Sequence, residues 1–142
     1  MADEIRIKNI PTGFQSIISN GRHAIVGDEP VKSKGTDLGF SPPELLLAGI
    51  AMCKVATVRF IARKKGWEIG NVDGRFVQEV KRGSNRNLST NMKVYIEIEG
   101  NLTDEQREEL LREADACYVH RMIEGEWNIE SAIHDGVEVA SA

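Results

Sequence analysis

The sequence predicts an α+β chain in the order βββ-α-ββ-α-β, with a mostly antiparallel sheet wrapped around one long buried central helix. Three features carry this reading: a capped apolar run at Ser41–Gly66, short β-branched runs broken by turn pairs ahead of it, and two alternating runs behind it. At 142 residues the chain is read as one domain, 1–142, large enough to bury a core without disulfide staples.

Residues 4–10, 14–19 and 22–27 read as three short strands, interrupted at Pro11-Thr12-Gly13 and at the hairpin pair Asn20-Gly21. The polar, turn-forming segment Asp28–Phe40 then delivers the chain to the helix, and loops of that length often carry function. Ser41 is placed to cap the helix, Pro42 sits where a missing N–H costs nothing, and Glu44 completes a capping box three residues after Ser41. Lys64, Lys65 and Gly66 close it, the lysines against the negative end of the helix dipole and the glycine in the left-handed position. Between these ends Leu45–Ala48, Ile50–Met52, Val55, Ala56, Val58, Phe60 and Ile61 leave almost no polar face, so the helix is expected to be buried nearly all round. Lys54 and Arg59 interrupt it, and a membrane span is not the expectation.

Trp67–Val80 and Thr90–Glu99 alternate as a strand pair with the basic segment Lys81–Asn87 at its tip, read as a solvated hairpin turn. Thr103 and Gln106 form a second capping box, opening a helix whose apolar positions Leu110, Leu111, Ala114 and Cys117 place that cysteine on the buried stripe. Glu126–Val139 alternates loosely and reads as a closing strand. One small sheet cannot cover every side of the central helix, so a second copy of the chain, in a two-fold homodimer, is expected to supply the rest.

The formal charge of −4 argues against a nucleic-acid partner. The N-terminal MADEIRIKNI has no long apolar run, so neither a secretory signal nor an anchor is visible, and a cytoplasmic setting is the expectation. In that reducing compartment two cysteines are expected to be free, or paired transiently and catalytically. With no CxxC and only three scattered histidines, His23, His120 and His134, the chain carries no zinc pattern. It has no phosphate-cradling glycine loop and no nucleophilic serine triad either, so no cofactor is expected. Taken singly, Cys53 and Cys117 are each compatible with a small core residue. Sequence spacing alone does not bring them within the roughly 7 Å between Cα atoms that a disulfide requires.

The run SPPELLLAGIAMC at 41–53, the KKGW that follows the helix, LTDEQREELLREADACYVHR at 102–121 and EWNIESAI at 126–133 resemble the OsmC/Ohr family of thiol-dependent peroxidases. Residues 21–30 and 34–46 extend the resemblance over essentially the whole chain. It implies an intertwined homodimer with its site near the subunit interface, Cys53 as the peroxidatic thiol and Cys117 as the resolving one. It further implies organic hydroperoxides as substrates and an external dithiol, such as a lipoylated protein, as reductant. In the family an arginine from the N-terminal half favours the thiolate and is itself held by a glutamate at the start of the cysteine helix. Arg22 in its Gly-Arg turn matches the arginine, with Lys34 and Lys32 as alternatives, and the same arginine also reads as a solvated turn charge. Glu44 is the glutamate candidate, but it stands nine residues before Cys53 where the family pattern has ten and this chain has Pro43. That spacing is half a turn out of phase and roughly 13 Å along the axis, so capping explains Glu44 without catalysis. Tyr118 stands where many relatives have proline, which relaxes the backbone beside Cys117. Two other classes stay open: a small-molecule binding protein on the same fold, and a redox sensor whose disulfide signals to a partner.

Overall fold

The computed structural model describes residues 2–134, and its contacts divide into two compact units, 2–46 together with 129–134, and 47–128.

In the first unit β1 (Arg6–Asn9), β2 (Ser16–Ser19) and β3 (Ala24–Gly27) form an antiparallel meander, paired Ile7 to Ile18 and Ile18 to Ile25. The Asn20-Gly21 hairpin forms as read. Gly21 takes a φ of +93°, and Asn20 Oδ1 accepts the N–H groups of Arg22 and His23 at 2.9 and 2.8 Å.

The segment 28–40, expected to be a polar loop, is organised by a buried carboxylate, Asp28. It accepts the backbone N–H groups of Phe14 (3.1 Å), Glu29 (2.8 Å), Thr36 (3.2 Å) and Leu38 (3.2 Å), along with the Thr36 hydroxyl. The Thr36 hydroxyl is the main cause that holds the Asp28 pKa down at about 2, aided by the Leu38, Glu29 and Phe14 N–H groups and opposed by burial. A depressed folded-state pKa stabilises the fold above the unfolded-state value, about 3.9 for Asp, and that contribution is lost as pH falls through the folded value. Asp28→Asn is therefore expected to lower the urea midpoint at neutral pH. The gap to wild type should close as pH falls from about 4 to about 2. A gap that is constant with pH would contradict the assignment.

The helix α1 (Pro42–Lys65) forms at its predicted bounds. Glu44 accepts the Ser41 backbone N–H at 3.0 Å and its hydroxyl at 2.9 Å, which is one half of the capping box. At the other end Gly66 has a φ of +73°, its N–H reaches the Arg63 carbonyl at 3.2 Å, and the Trp67 N–H reaches Ala62 at 2.9 Å. These two bonds are the Schellman closure the glycine predicts.

The expectation of all-round burial is corrected in the chain by itself. Only the stripe Ile50, Lys54, Val58 and Ala62, spaced by four, is buried, while Met52 and Phe60 are 73% and 62% exposed. One stripe is as much as a single partner layer can cover. By length and composition α1 could cross a membrane, with a mean hydropathy of 1.9 over its best window. Its packed face nevertheless carries a lysine.

In the second unit β4 (Val72–Arg82) and β5 (Leu88–Ile98) form a long hairpin, in register from Val72–Ile98 to Arg82–Leu88, and turn at Ser84–Arg86 within the predicted tip. The helix α2 (Asp104–Asp115) opens on the predicted capping box, with Gln106 N–H to Thr103 Oγ1 at 3.1 Å and Thr103 N–H to Gln106 Oε1 at 2.9 Å. Val58 and Ala62 of α1, Ile98 of β5, and Leu110 and Ala114 of α2 make the core, flanked by half-buried Trp67, Ile69, Val72 and Ile96.

Two differences from the sequence reading fall in the C-terminal third. The second helix does not run through Cys117: Ala116 leaves helical geometry at φ −98° and ψ 25°, and a separate helix α3 (Tyr118–Glu124) begins. The predicted strand Glu126–Val139 is also not formed over 126–134, while 135–139 lie outside the described residues. Ile129 and Ile133 are 83% and 85% exposed, and among the described residues the loose alternation there has no strand to pair with.

Candidate dithiol site

The site lies within the second unit, where α1 meets the corner between α2 and α3. Cys53 is half-buried on α1. Cys117 is 1% exposed and forms the N-cap of α3. Both are free thiols, near enough for Cys53 to act on the ionisation of Cys117.

The first turn of α3 serves both sulfurs. Val119 N–H donates to Cys53 Sγ at 3.4 Å, and His120 N–H donates to Cys117 Sγ at 3.4 Å. These are N–H groups that a helix start leaves without intrahelical acceptors, so their direction toward sulfur follows from the break at Ala116. Tyr118 occupies the first helical position, where proline and other residues are equally accommodated because that N–H has no intrahelical acceptor. With tyrosine at that position, Cys117 still caps α3 by accepting the His120 N–H. Burial pushes the Cys117 thiol up, as do its contact with Cys53 and the Cys53 charge, while the His120 N–H and the charge of Lys54 pull it back down.

Lys54, next in sequence to Cys53, is 2% exposed. Its Nζ donates to the Ala114 carbonyl at 3.1 Å and lies 2.9 Å from His120 Nδ1. His120 Nε2 in turn lies 3.4 Å from Glu124 Oε2. Arg121 does not join this chain, but stands over the Tyr118 ring at 5.9 Å.

The structure thus brings together Cys53 and Cys117 of the predicted site residues. Arg22 and Glu44 belong to the first unit. Arg22 is exposed in the β2–β3 turn, and Glu44 is engaged by Ser41, whose N–H and then hydroxyl hold its carboxyl below the ordinary value against burial. Sequence reasoning missed Lys54, taken only as a polar interruption of an apolar run. Its signal was available, because Lys54 falls in the four-residue register of Ile50, Val58 and Ala62. Among the described residues no three His, Cys, Asp or Glu side chains converge as a metal cage.

A long helix bearing one thiol, met by a second thiol at a helix start, defines an α+β dithiol protein. The family model for OsmC-like protein matches residues 35–132, and the chain belongs to that family. No curated protein matches it. Among solved structures it is similar to an OsmC-like protein of Mycoplasma pneumoniae, with a TM-score of 0.72 and 20% identity over 88% of this chain and 89% of that one. It is also similar to the organic hydroperoxide resistance protein OsmC of Legionella pneumophila, with a TM-score of 0.68 and 16% identity over 88% of this chain and 90% of that one. The organic hydroperoxide resistance protein OhrB of Bacillus subtilis gives a TM-score of 0.66 and 16% identity over 88% of this chain and 92% of that one. The α+β architecture, with its antiparallel sheets and helices, is accordingly the OsmC-like fold.

Proposed function

We propose that this protein is a thiol-dependent peroxidase that reduces organic hydroperoxides through Cys53 and Cys117. The observation that carries the reading is the convergence of a half-buried thiol on α1 and a buried one at the α3 cap on one helix turn, where they accept the successive N–H groups of Val119 and His120. Cys53 thiolate attacks the O–O bond, leaving an alcohol and a sulfenic acid. Cys117 then displaces water from that sulfur to close a disulfide. An external dithiol, of which a lipoylated protein is one example, restores both thiols by exchange.

Membership in the OsmC-like family and the names of the Legionella and Bacillus neighbours support the peroxide assignment. Leu, Ile and Met side chains around Cys53 in α1 favour an organic peroxide over hydrogen peroxide. A homodimer is part of the reading, because the exposed Met52 and Phe60 on α1 need cover that the described residues do not give them. Arg22 is the proposed cation that favours the Cys53 thiolate at the assembled site. Glu44 is assigned to the helix start, with any part in holding Arg22 secondary. A cytoplasmic setting suits a couple that must be re-reduced by cellular thiols.

The test supplies the reduced protein and a dithiol with cumene hydroperoxide or with hydrogen peroxide, and follows peroxide loss. Faster consumption of the organic peroxide is expected. Consumption no faster than the dithiol alone, for both peroxides, would remove the peroxidase reading.

A further inference from the structure

We propose that Lys54 is a positioning residue for disulfide closure: its buried ammonium is the counter-charge under which Cys117 attacks as a thiolate. The inference rests on the dithiol reading above and deepens it.

An ammonium has three protons to donate and nothing to accept with. Among the described residues Lys54 spends two of them, on the Ala114 carbonyl and on His120 Nδ1, both uncharged acceptors. A charge this buried is costly without an opposite charge beside it. Glu108 and Asp115 of α2 line a cavity of about 550 Å3 together with Lys54, Arg112 and Tyr95. Yet no carboxylate among the described residues lies within ion-pair distance of Lys54. The thiol pair, which can become negative, is tied to Lys54 through the chain and through a shared acceptor. Cys53 precedes it in the chain, and the Ala114 carbonyl that holds its Nζ also accepts the Cys117 N–H at 3.3 Å. The same contact that anchors the lysine therefore fixes the backbone of the resolving cysteine.

His120 completes the anchor. Because the ammonium only donates, Nδ1 must offer its lone pair, so the ring proton sits on Nε2 and faces Glu124 at 3.4 Å. His120 also gives its backbone N–H to Cys117 Sγ. One residue thus orients both the cation and the sulfur it serves. Burial first, and then the neighbouring Cys53, push the Cys117 thiol up, and the His120 N–H and the Lys54 charge act against that push.

The step balances without a further reagent. Cys117 gives up its proton and its thiolate attacks the sulfur of the Cys53 sulfenic acid. The S–S bond forms as S–O breaks, and the departing hydroxide takes up one proton to leave as water. Lys54 keeps its proton throughout.

The test titrates Cys117 by its thiolate ultraviolet absorbance in a Cys53→Ser background, comparing Lys54 with Lys54→Met, Lys54→Gln and Lys54→Arg. Both uncharged variants should move the midpoint up by about one pH unit or more, a tenfold fall in thiolate at a given pH, and Lys54→Arg should restore it. In the two-cysteine protein the pH profile of disulfide closure should shift in the same direction. The glutamine variant, which can keep a hydrogen bond to Ala114, serves if methionine does not fold. A folded uncharged variant that titrates where its parent does would overturn the proposal. The titration uses no peroxide, so its result is separable from failure of the peroxidase reading.

Discussion

Cys53→Ser should reduce hydroperoxide consumption to the rate of the external dithiol alone. A serine hydroxyl is not ionised near neutral pH, and loss of a catalytic nucleophile typically costs several orders of magnitude. Cys117→Ser should behave differently. It leaves the half-buried Cys53 thiol and its Val119 N–H in place, so the first attack on peroxide should survive as a single burst. The resulting sulfenic acid then lacks its neighbouring thiol and becomes open to further oxidation to the sulfinic state. Burst kinetics together with the mass of each variant after peroxide distinguish the two roles. Equal consumption by wild type and Cys53→Ser would remove Cys53 as nucleophile. A full catalytic rate for Cys117→Ser would make the Cys117 thiol dispensable.

The second large effect concerns the core that carries the site. Leu110 is fully buried on α2 and packs with Val58 and Ala62 of α1, Ile98 of β5 and Ala114. Leu110→Ala should cost about 2–5 kcal/mol, the sum of lost transfer energy and the cavity left behind. The upper part of that range applies here because the surrounding Val58, Ala62 and Ala114 are small and have little side chain with which to fill the gap. Ala114 also offers the carbonyl that holds Lys54, so loosening this turn should reach the thiols as well. A lower urea midpoint with an unchanged slope is the expected signature. A loss below about 1 kcal/mol would mean that α2 is not seated as described.

Much of this fold was legible because its signals are local. Ser41, Pro42 and Glu44 mark one end of α1 and Gly66 the other, and both ends form where those residues place them. Thr103 and Gln106 do the same for α2, and Asn20-Gly21 for the first hairpin. What stayed hidden depends on residues distant in sequence. Asp28 looks like a loop acid until Phe14, Thr36 and Leu38 turn their N–H groups toward it. The break at Ala116 has no glycine or proline to announce it, and it converts Cys117 from a stripe residue into a helix cap. Lys54 looked like an interruption because its acceptors, Ala114 and His120, lie more than half the chain's second unit away. Residues 126–133 resembled a strand, but a strand is made by its partner as much as by its own alternation.

The account centres on Cys53 and Cys117 acting as one redox couple. The most direct measurement adds one equivalent of cumene hydroperoxide to the reduced protein and maps its thiols by mass spectrometry after proteolysis without reductant. The account predicts a single cross-linked species joining the peptide of Cys53 to the peptide of Cys117, with the corresponding loss of two hydrogens. Peroxide consumed while both cysteines remain as separate, unlinked peptides would contradict it.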